Sequence, residues 1–184
     1  LLFADGHTNL HPLCGLIESG PFGTDLGLPS RVRLAYLAPS DLMYRLDLIF
    51  SELTRVAQPK EALNYYPLYP GFEQLFRLPL IPPATGLRCF TCPDCYDMAK
   101  VRNGPELVNS ILQSMTGLLR QKHGFDVVVL YLPSDWSNCF EYEGFNLHDC
   151  LKAKLAPLNI TLQIVNDTTF ERTCRANVLW GISV

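Results

Sequence analysis

His148 and Lys152 stand four residues apart in the stretch Asn146-Leu-His-Asp-Cys-Leu-Lys-Ala-Lys-Leu155. Leu147, Leu151 and Leu155 recur there at helical spacing, so the stretch predicts a helix carrying His148 and Lys152 one above the other on a neighbouring face. Asn146 is the expected cap. An imidazole and an ammonium one turn apart near a helix start suit an anion, because free N–H groups and the positive end of the helix dipole already favour negative charge there. Gln163 follows in the apolar run Ile160–Val165, where strand alternation puts it with Thr161 and Val165, opposite Ile160, Leu162 and Ile164. An amide converging on the other two would suit a phosphate, and residue chemistry alone carries the reading no further than an anion site. Lys154 points elsewhere and is a weaker candidate.

These side chains must be held by the elements around them. Val127–Leu132 is a short Val-rich run between Gly124 and Pro133, as in a strand covered on both faces of a parallel sheet. A loop over residues 134–145 follows, then the helix over 147–155 and the strand over 160–165. Such a unit turns its helix start toward the carboxyl end of the sheet, where open α/β folds bind ligands. Upstream, Arg31–Ala38 predicts a strand, with Val32, Leu34 and Tyr36 alternating against Arg31 and Arg33. Pro39-Ser40-Asp41 supplies cap chemistry for a helix reaching about Val56, with Leu42, Leu46, Ile49 and Leu53 inward. A short strand is expected near Phe76–Leu80 in an otherwise loop-like, proline-rich stretch. Gly104-Pro105-Glu106 starts a helix to about His123, which Gly117 weakens without breaking. A last helix is expected over 175–184. The fold class these elements imply is α/β, a Rossmann-like parallel sheet flanked by helices. Residues 31–184 make the domain. Residues 1–30, with five glycines and three prolines, read as an irregular lead-in with at most one short strand at Leu1–Ala4.

Two other groups invite a metal reading. Cys89-Phe-Thr-Cys92-Pro-Asp-Cys95 overlaps two C-x-x-C steps, half of a zinc site. A fourth ligand would have to come from Cys14, Cys139, Cys150, Cys174 or a histidine, and no second C-x-x-C pair exists. Buried free thiols are the commoner use of such residues, and a redox C-x-x-C would need a strand before it and a helix after it. Asp5, His7 and His11 lack further ligands at matching spacing, so polar loop residues are the better reading.

Composition bounds the function. The chain has 184 residues, 48% of them hydrophobic, enough to bury one core. Its net charge of −3 opposes a broad basic surface coating nucleic acid, yet a pocket gripping one terminus needs only a few local cations. There is neither a long apolar run nor a visible signal peptide, and the chain starts at Leu1 as a fragment would. Seven cysteines, an odd count in a chain this size, point to a reducing cytoplasm.

The block His148-x-x-x-Lys152, with Gln163 after a short strand, resembles the guide 5′-end pocket in the MID domain of Argonaute proteins. The wider frame, VVVLYLP, FNLHDCLKAKLA, ITLQIVND and CRANVLWGIS, is similar to the short prokaryotic Argonautes. FADG and GLIESGPFG near the front resemble the segment leading into MID in that group, whereas residues 40–100 carry no quotable likeness. The resemblance implies a MID-type fold in which His148 stacks on the 5′ nucleotide while Lys152 and Gln163 hold its phosphate. It places the loop bearing Trp136, Tyr142 and Phe145 against the first base, and allows Mg²⁺ to bridge the first phosphates. Guide RNA or DNA, a complementary target strand and an APAZ-containing effector protein are the partners it implies. In the family a second phosphate-binding lysine and the PIWI domain follow; neither is in this chain, which implies a binding domain without cleavage chemistry. The alternatives are a small enzyme acting on an anionic substrate, with His148 as acid–base and Lys152 as clamp, or an interaction scaffold in which Trp136 and Trp180 touch a partner.

Overall fold

Two apolar runs, Val32–Ala38 and Val127–Leu132, lie side by side as parallel strands, with Leu34 opposite Val127 and Leu37 opposite Leu130. The structure is a computed structural model and describes residues 1–3, 5–21, 30–58 and 67–171. In chain order its elements are α1 (Pro12–Ser19), β1 (Val32–Ala38), α2 (Met43–Leu53), α3 (Phe72–Phe76), β2 (Leu80–Ile81), β3 (Arg88–Phe90), α4 (Cys95–Lys100) and α5 (Gly104–Ser114). There follow α6 (Thr116–Leu119), β4 (Val127–Leu132), β5 (Glu141–Tyr142), β6 (Phe145–Asn146), α7 (Leu147–Leu155), β7 (Thr161–Asn166) and α8 (Asp167–Glu171).

The main sheet has five strands in the order β2-β1-β4-β7, with β3 continuing the β2 side of β1 farther along, and its ladders are parallel. Helices cover both faces, which defines an α/β, Rossmann-like architecture. The alternation of β1 and β4 assigns the two cores. Leu34, Tyr36, Val129 and Tyr131 pack with α2 and α3, while Leu37, Val128, Leu130 and Leu132 pack with α4, α5 and α7. All six residues of β4 are buried, as a strand covered on both faces requires. β1 is polar only near its foot, where the half-buried Arg33 binds Asp126.

Several short elements differ from the sequence expectation. Residues 12–19 form α1, with Pro12 in the first turn and Gly20 at a positive φ of 76° at its end. Leu13 joins the α2–α3 core, so this part of the lead-in is packed onto the domain. At Leu1–Ala4 only a bridge between Leu2 and Thr8 forms, and Ala4 lies outside the described residues. Helix α2 begins after Leu42 without a side-chain cap, so neither Ser40 nor Asp41 plays that part, and it ends earlier than Val56. The strand expected at Phe76–Leu80 is instead the end of α3, a left-handed Arg77 and the two-residue β2. The helix expected over 104–123 breaks at Met115. Ser114 donates its hydroxyl to the Ser110 carbonyl and Thr116 to that of Gln113, local bonds that compete with a straight helix just before Gly117. The last expected helix, with Cys174 and Trp180, lies outside the described residues. No described helix is long and apolar enough to cross a membrane.

Candidate functional site

Helix α7 is built as the leucine spacing requires. Leu147, Leu151 and Leu155 are buried in the core it shares with α5, and His148, Asp149, Lys152 and Lys154 are exposed. The Asn146 side chain accepts the Asp149 N–H at 3.1 Å, and the Leu147 N–H bonds to the Phe140 carbonyl at 2.9 Å, so cap and loop together hold the first turn. Because α7 returns the chain from β4 to the parallel β7, its start lies at the carboxyl edge of the sheet. His148 is not idle there: its Nδ1 lies 2.9 Å from the neighbouring Asp149 carboxylate.

Gln163 falls on the other side. It sits opposite Val129 in the ladder and shares its side of β7 with Val165, which packs toward α2 and α3, whereas Leu162 packs beneath α7. Its amide donates to the Ile164 carbonyl at 2.8 Å. The fold therefore brings His148 and Lys152 together and sets Gln163 across the sheet, at the strand that forms its edge among the described residues.

The loop aromatics divide similarly. Trp136 is 0% exposed, edge-on to Tyr96 with ring centroids 5.6 Å apart, so it is a core residue with no face open to a base or a partner. Tyr142 and Phe145 form the β5–β6 hairpin, half-buried, with ring centroids 5.2 Å apart. They close over the start of α5. The Tyr142 hydroxyl accepts the Gly104 N–H at 3.1 Å, and a Cβ at Gly104 would come within 2.3 Å of the Phe145 ring. The Arg102 guanidinium lies 4.5 Å from the Tyr142 ring centroid. Arg102 and Lys100 also line an open cleft of about 470 Å³ with Ser137, Asn138 and Glu141. Neither cation stands in a motif or spacing that marks it in the sequence. The available signal was the Arg102-Asn103-Gly104-Pro105 turn, in which Arg102 adopts φ 57° and Asn103 caps α5.

Other candidates resolve into structural roles. The His11 ring accepts the Cys14 N–H and caps α1. His7 pairs with Asp5 through its ring and backbone N–H, each at 2.9 Å; these bonds hold the Asp5 carboxyl well below the usual range and raise the imidazole. Among the described residues no three His, Cys, Asp or Glu side chains gather as a metal site would need, so Cys89, Cys92 and Cys95 form no zinc cluster there. Chain order reverses between β1 and β4. Burial first, then the charges of Asp41 and Asp135, raise the Tyr96 phenol. Exposed cations include Lys152 and Lys154 on α7 and Lys100 and Arg102 at the cleft. No protein-family model matches the chain, and no curated protein matches it.

Proposed function

We propose that this chain anchors the phosphorylated 5′ end of a guide nucleic acid at the start of α7, in the manner of an Argonaute MID domain. The observation that carries the reading is α7 itself: an exposed imidazole in the capped first turn, with the exposed ammonium of Lys152 one turn further along in the last, on a helix whose start lies at the carboxyl edge of a parallel sheet. Lys152 supplies charge to the phosphate and His148 a ring for the first base. Tyr142 and Phe145, on the hairpin that leads into α7, are further candidates to touch the first base. Trp136 takes no part, and Gln163 could contribute only around the edge of β7.

Base pairing of the held guide would then select a complementary target, and chemistry would belong to an APAZ-containing partner. The Mg²⁺ that the resemblance implies would be held largely by the guide's own phosphates, since this ion seldom takes an all-protein cage. The test is fluorescence anisotropy with matched short oligonucleotides bearing a 5′-phosphate or a 5′-hydroxyl. Lys152→Ala should abolish most of the preference for phosphate, about tenfold or more, since a hydrogen bond to a charged group contributes about 1.5–3 kcal/mol. Equal weak binding of both oligonucleotides, unchanged by the substitution, would sink the reading.

A further inference from the structure

The C-x-x-C step that no metal claims has a definite architecture. Strand β3 ends at Phe90, Thr91 bonds its N–H to the Ala38 carbonyl, Cys92-Pro-Asp-Cys95 makes a turn, and α4 begins at Cys95. The Cys95 N–H bonds to the Cys92 carbonyl at 3.1 Å. A turn closed in this way brings its first and fourth Cα atoms within about 7 Å. A disulfide spans about 4.4–6.8 Å between Cα atoms, so the backbone already sets the two cysteines at bridging distance.

Their surroundings differ as the two partners of an exchange reaction should. Cys92 is half-buried and open to solvent, while Cys95 is 0% exposed. Two serines one turn apart on α5 face the pair. Ser114 Oγ accepts the Cys92 N–H at 3.2 Å and donates to the Ser110 carbonyl, and Ser110 Oγ lies 3.3 Å from the Cys95 thiol. Ser110 is one of only three buried polar residues among those described, which makes its position beside a thiol notable. Both thiols are free, and burial raises that of Cys95.

We propose that Cys92 and Cys95 are a reversible dithiol–disulfide pair that exchanges with small disulfides of the glutathione class. The Cys92 thiolate attacks one sulfur of the small disulfide, forming a mixed disulfide and expelling one thiolate. Cys95, losing its proton, then attacks the Cys92 sulfur, forms the protein disulfide and expels the second thiolate. Two protein thiols and one small disulfide thus become one protein disulfide and two small thiols, the two protons passing to the departing thiolates. Oxidation ties the end of β3 to the start of α4 and takes from Ser110 its thiol neighbour. Helix α4 also packs on the segment after β4 through the Tyr96–Trp136 contact.

The experiment incubates the folded chain with oxidised glutathione, blocks remaining thiols by alkylation, and maps the disulfides by mass spectrometry before and after dithiothreitol. The expected result is a Cys92–Cys95 bond, reversed by reductant and unchanged in Cys89→Ser. Cys95→Ser should stop at glutathione held on Cys92. A wild-type chain that retains only the mixed disulfide, stays reduced, or bridges Cys92 to another cysteine overturns the proposal, whatever the variants do.

Discussion

The hydroxyl of Tyr142 takes up a donor that α5 cannot satisfy itself, because the first N–H groups of a helix have no intrahelical acceptor. Tyr142→Phe keeps the ring under Arg102 and beside Phe145 but leaves the Gly104 N–H with neither its partner nor free access to water. The expected cost is about 1–3 kcal/mol, read as a lower urea midpoint at unchanged slope. Charge acts at the same scale in the Arg33–Asp126 pair. Asp126 accepts both the Arg33 side chain, at 2.8 and 3.0 Å, and the Arg33 backbone N–H at 2.8 Å. Those bonds, the side-chain ones first, hold its carboxyl below the ordinary 3.8. A carboxyl depressed on folding contributes stability that is present above its unfolded value, about 3.9, and is lost as pH falls through the folded one. Asp126→Asn should therefore lower stability at neutral pH and flatten its decline below about pH 4, which urea titrations from pH 6 downward would show. At this scale the sequence was legible where one element decides the outcome. The leucines of α7 announced which of its residues face water. Trp136 was not legible, because its burial is made by α4 and β4, elements far apart in the chain. Alternation separated Gln163 from Leu162, but which face α7 would cover is a property of the crossover.

Elements with a clear apolar run or helical spacing are legible in the sequence, whereas the shortest strands and the helices α1 and α4 carry no such pattern. Strands β1, β4 and β7 and helices α2, α5 and α7 declare themselves by runs or spacing long enough to outweigh local noise. Strands β2 and β3 have two and three residues, and their ladders to β1 define them more than any pattern of their own. Helix α4 follows a C-x-x-C turn that read as a metal fragment, and its existence supplies the strand–turn–helix frame the sequence lacked. Helix α1 did carry signals, Pro12 within the first turn and Gly20 just past the end, but its cap is His11, outside the usual set. The cap of α7 is the ordinary one and positions the candidate site. Asn146→Ala removes the acceptor of the Asp149 N–H and should cost about 0.5–2 kcal/mol in chemical unfolding. It should also weaken preference for a 5′-phosphate less than Lys152→Ala does, since it loosens the turn without removing the charge. A larger loss than for Lys152→Ala would shift the proposed contact from the side chain to the helix start.

Over the whole molecule, charge sets how such a protein can meet nucleic acid. The chain carries 15 Lys and Arg against 18 Asp and Glu. Asp41 and Asp135 both act on Tyr96, and Lys100 at the cleft is already paired with Asp97 at 2.8 Å. A nucleic acid lying along such a net acidic surface would meet repulsion as well as attraction, whereas one held by its end at α7 would meet Lys152 beside the His148 ring. The two arrangements differ in the number of phosphates neutralised and hence in the counterions released. For a single strand, log Kobs falls with log salt at a slope of about −0.7 per phosphate contact, so an end anchored through one or two cations should show a slope between about −0.7 and −1.4. A coating mode with six or more contacts would exceed about −4 in magnitude on the same relation. The slope, measured by anisotropy with a 5′-phosphorylated oligonucleotide between low and physiological salt, distinguishes them without reference to any single residue. A shallow slope with a retained preference for the phosphate supports anchoring of one terminus. A steep slope without that preference would mean that cations other than those of α7 carry the binding, and that a net acidic chain concentrates them on a surface the 5′ end does not require.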